Sequence, residues 1–485
     1  MDRMRLGFLA GLMLVGAATQ AGAQETFTPA QLRADFTAMY RGLQSGDYDI
    51  YAFTPKAELD KDFAATLAGL EKPMTKFDAE IRFEEFASHI HQGHARVDFP
   101  RAVWAQYRKD GGRSFPLALR VIGEKVYVAQ NSSGLGAIAP GDEIVAMNGD
   151  TMQAWLARAE RHVSAETAYM AGSLMEYDFP QYVWVELGDV AGFDLTLRKP
   201  DGKLVKLRAP ARTDAEMKVF AAAQPATLSL DDPMREAKML DGHVAYLRPG
   251  PFYNADAKTG ADEWDVSGFR AFIDSAFRKF NAAGADRLII DLRGNPGGDN
   301  LFSDVMIAWF ADKPFRFFSQ FKVRVSAEST KSNADRIQND AAAAGPVSQQ
   351  YARLYAGAKN GEVVDFVMTP AQPRSGERFR GKVFLLIDRQ SYSNTVSVAA
   401  LAQDYKFGTV LGEATSDMAT TYGAMETFAL PNTGIVVGFP KAHIVRPNGD
   451  LRSLGVTPDI AIAIPVVQTP ADEVLQKAVA IARTR

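Results

Sequence analysis

The residues best placed for chemistry are a serine and a group of glycines, each following a short apolar run. Ser393 comes after the apolar residues 385–387 and before residues 395–401, which have the composition of a buried helix. At such a strand-to-helix turn, free backbone N–H groups and the positive end of the helix can stabilise developing negative charge. This position suits a nucleophile. Serine is also a frequent helix N-cap, and the local sequence fits that role as well.

The glycine-rich loop follows the apolar residues 288–290 and contains Gly294, Gly297 and Gly298. Glycine allows a backbone to turn with positive φ and to approach a substrate closely, so Gly297 or Gly298 is a candidate donor to an oxyanion. An ordinary sharp turn has the same composition. A phosphate-binding loop is not indicated, because the loop has neither the P-loop lysine nor the dinucleotide-binding glycine spacing.

The elements around these two turns alternate between strand and helix, which indicates an α/β fold with a largely parallel, covered sheet. The predicted strands are residues 243–247, 287–292 and 383–387, and the predicted helices are residues 266–281, 301–310 and 395–403. A polar, alanine-rich segment at residues 326–359 interrupts this order, and we expect it to form a helical excursion.

Two further regions precede this core. Residues 25–90 have helical apolar spacing and end in a turn that carries His89, His91 and His94. A β-rich unit follows, with an Asn148-Gly149 turn, a helical insertion from residue 152 to about 175 and a closing hairpin. Its predicted strands are residues 115–121, 125–129, 143–147, 193–197 and 204–207. The spacing of the three histidines does not match the helical zinc motif, so no metal site or other cofactor is predicted.

Composition excludes several classes of function. The 485 residues carry 54 basic and 58 acidic side chains, so no basic field exists to attract nucleic acid or anionic lipid. The sequence has no cysteine, which excludes disulfides, thiolate metal sites and a cysteine nucleophile. Nucleic acid is therefore not an expected partner, and the oligomeric state is left open.

The first 23 residues are typical of an export signal. Arg3 and Arg5 precede the apolar residues 6–18, and small side chains at residues 21–23 offer a cleavage site before Gln24. A short membrane anchor is the alternative, but this run is shorter than the ~20 apolar residues that a span needs. We expect a periplasmic or secreted bacterial protein with no stable membrane span.

Four motifs in order resemble the carboxy-terminal-processing (tail-specific) serine peptidases and their tricorn-core-like relatives. They are Asp291-Leu292-Arg293 through Gly298, Tyr392-Ser393-Asn394, Gly412-Glu413-Ala414-Thr415, and Gly455-Val456-Thr457-Pro458-Asp459. Residues 138–149 resemble the corresponding stretch of PDZ domains. The resemblance implies a crotonase-like (ClpP-like) α/β spiral core, Ser393 as nucleophile, and an oxyanion hole formed by Gly297 or Gly298 with Asn394.

The sequence patterns and the resemblance together predict four parts of the chain. Residues 1–23 are the signal peptide and residues 24–105 the amino-terminal helical region. Residues 106–212 are a PDZ-like domain with a helical insertion, and residues 213–485 are the serine peptidase core.

The general base is where this sequence departs from the tail-specific branch. That branch places a lysine shortly after the third motif, and Met418 stands near that position, so a serine–lysine dyad is not expected. The tricorn-like branch uses an amino-terminal histidine, and Gln92-Gly93-His94 is similar to its motif. His94 is therefore the predicted base, since a neutral imidazole can accept the serine proton.

The acid that orients the base has no clear candidate. Tricorn-like peptidases carry a glutamate shortly before the fourth motif, where this sequence has Arg452. Asp450 is the possible substitute, although an acid in a solvated turn is the more ordinary interpretation. Either another residue then orients His94, or the enzyme works as a weaker dyad.

Taken together, the residues and the resemblance predict an exported serine endopeptidase. It would hydrolyse peptide bonds of unfolded or tail-exposed polypeptides through an acyl-enzyme. A non-catalytic peptide- or ligand-binding protein on the same scaffold is the alternative, because Met418 and Arg452 replace expected catalytic residues.

Overall fold

The computed structural model describes residues 25–224, 228–230, 234–241, 243–258, 260–339 and 345–485. The predicted signal peptide lies outside these residues. The fold class is α/β, as predicted, and the described strands form four sheets. Within the described ranges, no helix has the length and apolar character needed to cross a bilayer.

The amino-terminal region is helical, as predicted, and two of its helices begin at capping boxes. Thr28 and Thr75 each accept a hydrogen bond from the backbone three residues later, where Gln31 and Asp78 return one. Buried apolar side chains such as Phe36 pack these helices against one another. The elements are β1 (Thr26–Phe27), α1 (Pro29–Gly46), α2 (Lys56–Gly69), β2 (Met74–Thr75), α3 (Lys76–Ser88), β3 (Arg96–Val97) and α4 (Arg101–Lys109).

The β-rich unit is a sheet in the order β4-β5-β6-β8-β9, with β7 paired to β6. Asn148 and Gly149 both have positive φ, as the predicted turn requires. The insertion is longer than predicted and forms two helices, since the second continues through Pro180 and buries Tyr182 and Val183. The elements are β4 (Leu117–Ile122), β5 (Lys125–Asn131), β6 (Glu143–Met147), β7 (Asp150–Thr151), α5 (Met152–Glu160), α6 (Ala168–Leu187), β8 (Gly192–Arg198), β9 (Leu204–Pro210) and α7 (Asp214–Ala222).

The carboxy-terminal half holds the strand–helix alternation that the sequence predicts. Its elements are β10 (Glu236–Asp241), β11 (Val244–Arg248), α8 (Ser267–Ala282), β12 (Arg287–Asp291), α9 (Asn300–Ile307), β13 (Gln320–Arg324), α10 (Ala327–Asn339), α11 (Pro346–Ala356), β14 (Val363–Asp365), β15 (Lys382–Ile387), α12 (Asn394–Tyr405), β16 (Thr409–Gly412), β17 (Thr421–Ala429), β18 (Val436–Val445), β19 (Ile460–Ala461) and α13 (Glu473–Thr484). A 3₁₀ helix spans Gly260–Trp264. The predicted helical excursion is α10 and α11.

The main sheet of this half runs β10-β11-β12-β15-β16-β19, and all pairs except β10–β11 are parallel. Its central strands are buried on both faces, as expected for a parallel sheet covered by helices. Leu288 and Ile290 point toward one core cluster, whereas Ile289 points toward the other, which α13 covers. The carboxyl ends of β12 and β15 are adjacent, so the sheet brings the glycine loop and the Ser393 turn together.

The sequence patterns above do not predict the second sheet, β14-β13-β18-β17, which is antiparallel. Strand β18 contains Gly438, Pro440 and Lys441, residues that are rare in strands, and it is buried over most of its length. It therefore shows no clean alternation of apolar and polar residues. This sheet matters for the site because β3 pairs with β18, at Gly438↔Arg96, and so fixes the turn that carries His94.

Candidate active site

Ser393 occupies the strained turn between β15 and α12. Its backbone has φ 53° and ψ −124°, a region that non-glycine residues rarely enter. Although Ser393 stands at the N-cap position of α12, its side chain accepts no hydrogen bond from the helix. The capping interpretation therefore does not describe this serine, and its hydroxyl is not used to stabilise the helix.

The glycine loop packs directly against this turn. A Cβ on Gly297 would lie 2.6 Å from the Tyr392 carbonyl oxygen and 2.9 Å from the Asn394 nitrogen, so only glycine fits there. The Asp388 carboxylate joins the two loops further, because Oδ1 accepts a hydrogen bond from Gly294 N at 3.0 Å. The approach of the two backbones places several amide groups around Ser393.

Two of the three predicted oxyanion donors are available. Gly297 N–H donates to Asn295 Oδ1 at 3.0 Å and is already used. The backbone N–H groups of Gly298 and Asn394 donate no hydrogen bond within the described part of the chain, whereas the Asn394 side chain donates to Ser303 Oγ at 3.0 Å. Of the alternatives left open by the sequence, the pair Gly298 and Asn394 is the one with free donors.

His94 lies in the turn between α3 and β3. Burial lowers the pKa of its imidazole to about 4, and the positive charge of Arg96 acts in the same direction. The ring is therefore neutral at pH 7. The backbone of Tyr422, at the start of β17, lies beside the ring, while Nδ1 is buried without a hydrogen-bond partner among the described residues.

The turn of His94 meets the turn of Ser393 through the Tyr392 side chain. A Cβ on Gly93 would lie 3.4 Å from the Tyr392 hydroxyl, so the residues preceding His94 and Ser393 are in close contact. No hydrogen bond joins the Ser393 hydroxyl to His94 in the described structure. Catalytic hydrogen bonds are often long or poorly aligned in the absence of substrate.

The other two histidines of this segment have separate partners. His89 Nδ1 pairs with Asp62 Oδ2 at 3.0 Å, and His91 Nδ1 lies 2.9 Å from Thr54 Oγ1. The three rings therefore do not converge. Within the described ranges, no group of three His, Asp or Glu side chains is placed to hold a metal ion.

Asp450, the predicted orienting acid, is engaged elsewhere. Both of its carboxylate oxygens accept hydrogen bonds from Arg452, and this pairing lowers the pKa of Asp450 to about 2. The structure therefore does not bring Asp450 together with His94. The position of the expected glutamate is filled by the arginine that holds Asp450 in a surface turn. Met418, near the expected lysine, is buried among apolar side chains.

Two buried carboxylates beside the site were missed by sequence reasoning. Asp417 Oδ2 accepts a hydrogen bond from Ser393 N at 2.6 Å, and Oδ1 accepts one from Met418 N at 2.7 Å. Glu166 Oε1 accepts one from Gly93 N at 3.1 Å. Burial raises the pKa of Asp417 to about 6, and burial together with the charge of Asp417 raises the pKa of Glu166 to about 7.

We name His94, Glu166, Tyr392 and Asp417 the carboxylate cluster. Tyr392 belongs to it because burial and the charges of Asp417 and Glu166 raise the pKa of its hydroxyl. No sequence signal identifies Glu166, which follows α5 by six residues in the β-rich unit. Asp417 follows the Gly412-Glu413-Ala414-Thr415 motif by two residues and precedes Met418, which stands near the expected lysine position.

On the other side of the Ser393 turn, four charged side chains form what we name the four-charge network: Arg120, Glu176, Arg389 and Glu413. Arg389 donates to Glu176 at 2.9 Å and to Glu413 at 2.7 Å, and Arg120 contacts the same two carboxylates at 3.2 and 3.0 Å. The network links β4 and α6 of the β-rich unit to the turn that carries Ser393.

Comparison with known proteins finds one matching family and several similar solved structures. A model of the family described as Peptidase family S41 matches residues 257–462. The structure of mature CPAF complexed with lactacystin is similar over 94% of this chain and 98% of that chain, with TM-score 0.66 and 14% identity. A second structure of mature CPAF gives TM-score 0.65, 15% identity and coverage of 94% and 97%.

A third solved structure, the photosystem II D1 C-terminal processing protease, covers 90% of this chain and 95% of its own at 16% identity, with TM-score 0.44. No curated protein matches this chain. At these identities, the likeness to mature CPAF shows a shared fold. The family match itself spans the glycine loop and the Ser393 turn.

Proposed function

We propose that the chain is a serine-type peptidase of family S41, whose model matches residues 257–462, and that it cleaves peptide bonds through an acyl-enzyme on Ser393. The observation that carries this proposal is the Ser393 hydroxyl, which is unused as a cap and stands at the head of α12 beside two free amides. Strained backbone at a strand-to-helix turn is a recurring way to expose a nucleophilic serine.

In the proposed mechanism, His94 accepts the proton of Ser393 as Oγ attacks the carbonyl carbon of the substrate. The amides of Gly298 and Asn394 donate to the oxyanion that forms. His94 then gives the proton to the leaving amine, so the C–N bond breaks and the acyl-enzyme remains. Water repeats the sequence with His94 as base and restores the serine. The lowered pKa of His94 keeps the ring neutral above about pH 4, and it also weakens the ring as a base unless a negative charge stabilises the imidazolium.

We propose unfolded or tail-exposed polypeptides as the substrates, with residues 106–212 as a PDZ-like docking unit. PDZ domains bind a chain end as an added strand at an open sheet edge. In this protein the outer edge of β4 is occupied at Val121, whose N–H donates to Glu176 Oε1 at 2.8 Å and whose carbonyl accepts from Arg389 Nη1 at 2.6 Å. Strand addition at this point requires those two bonds to break.

The same proposal covers the core architecture and the location. The order of the main sheet, with parallel strands feeding the glycine loop and the Ser393 turn, supports a crotonase-like core. The apolar run of residues 6–18 with its flanking arginines supports export to the periplasm or the medium.

The nucleophile is tested with the Ser393→Ala variant. Fluorescently labelled β-casein serves as an unfolded substrate, and a fluorophosphonate probe reports an activated serine. Wild type should cleave casein and take up one label, and Ser393→Ala should do neither. Ser397→Ala, one turn further along α12, is the matched control and should behave as wild type.

Undiminished cleavage by Ser393→Ala would reject the assignment of the nucleophile. A wild-type protein that neither cleaves nor takes up the probe would instead favour the non-catalytic binding protein.

A further inference from the structure

Two buried polar atoms without hydrogen-bond partners in the described structure belong to Glu166 and His94, and Gly93 links these two residues. Glu166 Oε1 accepts a hydrogen bond from the Gly93 N–H, while Glu166 Oε2 is buried with no hydrogen-bond partner among the described residues. His94 follows Gly93 directly, and its Nδ1 is buried and unpartnered in the same way. Burial of a carboxylate oxygen and of a ring nitrogen without partners destabilises the folded state, because water forms hydrogen bonds to both atoms in the unfolded chain.

The segment that carries Glu166 is fixed to the segment that carries His94. Ser164 Oγ donates to the carbonyl oxygen of Gln92 at 2.6 Å. Ser164 lies two residues before Glu166, and Gln92 lies two residues before His94. A Cβ on Gly93 would lie 3.4 Å from Glu166 Oε2, which shows how closely the carboxylate approaches this turn. The position of Glu166 and the position of the His94 turn are therefore set together.

The other carboxylates near the site are already occupied. Both oxygens of Asp417 accept backbone N–H groups, those of Ser393 and Met418. Asp450 is held by Arg452. Of Asp417, Asp450 and Glu166, Glu166 is thus the carboxylate that keeps a buried oxygen free, and it is the one bonded to the residue that precedes His94.

We propose that Glu166 is the positioning carboxylate for His94: one oxygen fixes the turn through the Gly93 amide, and the other accepts the Nδ1–H of the imidazole during catalysis. With the proton held on Nδ1, Nε2 accepts the proton of Ser393, and the imidazolium that forms lies beside a negative charge. This inference rests on the proposed function of Ser393 and His94. It supplies the acid that the arginine at position 452 cannot provide.

The charges that face Glu166 fit this role. The charge of Asp417 acts on Glu166, and both acids act on the Tyr392 hydroxyl, while Arg96 acts on His94 and donates to the Gly93 carbonyl at 3.3 Å. Burial and Asp417 disfavour a negative charge on Glu166 in the resting protein. The reaction therefore proceeds from the molecules in which Glu166 has already lost its proton to solvent, and the imidazolium that forms beside this carboxylate stabilises its negative charge.

The test is the near-isosteric variant Glu166→Gln, assayed with labelled β-casein over a range of pH. Its amide oxygen can still accept from Gly93, whereas it cannot stabilise an imidazolium by charge. We expect kcat to fall by roughly 100-fold or more with KM changed less than about threefold. The ascending limb of kcat/KM against pH should move to lower pH by about one unit or more, because in wild type it depends on ionisation of Glu166 and in the variant only ionisation of His94 remains.

The matched control is Glu160→Gln at the exposed end of α5, which should leave the kinetics and the pH profile unchanged. A Glu166→Gln protein with wild-type kcat, or with lower kcat and an unmoved limb, would overturn the proposal. If Glu166→Gln does not fold, Glu166→Asp decides, because it keeps the charge but cannot span both contacts. It should lower kcat and leave the limb in place, and an unchanged kcat would refute the role.

Failure of this inference can be told apart from failure of the proposed function. If Ser393→Ala cleaves casein as wild type does, the nucleophile assignment is wrong whatever Glu166→Gln shows. If Ser393→Ala is inert and Glu166→Gln is fully active, only the role of Glu166 is refuted.

Discussion

The two groups of charged side chains that flank the Ser393 turn are built in opposite ways. In the four-charge network, every carboxylate meets two arginines, and the side chains of Arg120 and Arg389 are only 9% and 6% exposed. In the carboxylate cluster, acids lie beside acids, and both Glu166 and His94 keep a buried atom without a partner. The first arrangement pairs opposite charges, although Arg120 Nε is buried without a hydrogen-bond partner among the described residues, whereas the second brings like charges together.

This difference indicates a division of labour. Paired buried charges hold a geometry, because moving either partner exposes an unpaired ion. Unpaired buried acids with raised pKa values are poised to change protonation near neutral pH, which is a common property of functional sites. We therefore interpret the four-charge network as the support that fixes the Ser393 turn and the carboxylate cluster as the part that moves protons.

Removal of one charge from the four-charge network should have the largest effect on stability. Glu413→Gln leaves Arg389 and Arg120 with one carboxylate between them, and we expect the free energy of unfolding to fall by about 3 kcal/mol. Denaturation in urea measures this, with the exposed Glu160→Gln as the control. A loss below about 1 kcal/mol would mean that the network is a solvated surface cluster, and the contrast between the two regions would fail.

The sequence predicted the two turns but not the side chains that connect them. The order of strands and helices in the core, the Gly297–Ser393 approach and the helical amino-terminal region all follow from local patterns and ordered motifs. His94 was identified through its motif, yet its position depends on pairing between β3 and β18, which are more than 300 residues apart in the chain. Such long-range pairing leaves no local signal.

The orienting acid shows the same limit more sharply. Asp450 is the acid in the sequence near the position where tricorn-like peptidases carry their glutamate, whereas the structure pairs it with Arg452. Glu166 lies in a different unit of the chain and reaches the His94 turn only through the packing of residues 164–166 against residues 92–93. A single isolated glutamate carries no pattern from which this contact could be inferred.

The pH dependence of stability should separate the two regions with a smaller effect. Raised folded pKa values mean that Glu166 and Asp417 bind protons more tightly in the folded state, so their contribution to stability is full below about pH 4 and is lost as pH rises through about 6 to 7. Glu413 has a lowered pKa, so its contribution is present at neutral pH and is lost in acid.

The measurement is the difference in unfolding free energy between wild type and Glu166→Gln at pH 5 and pH 8. We expect wild type to lose on the order of 2 kcal/mol relative to the variant over this range. Other buried acids with raised pKa values, such as Glu84 and Asp304, cancel in the difference because both proteins retain them. A difference that does not change with pH would show that Glu166 is ionised throughout and that the two regions respond alike.

Removal of the Tyr392 hydroxyl should give the smallest effect. This variant tests whether every member of the carboxylate cluster takes part in proton transfer. Its ring packs against the core of the β-rich unit, and its hydroxyl makes no hydrogen bond within the described residues. Tyr392→Phe removes only that hydroxyl, so we expect stability to change by less than about 0.5 kcal/mol and casein cleavage by less than about twofold. Steady-state kinetics alongside urea denaturation will measure both quantities. A fall in kcat of tenfold or more with unchanged stability would add the hydroxyl to the groups that move protons, and the cluster would then act on Ser393 through Tyr392 as well as through His94.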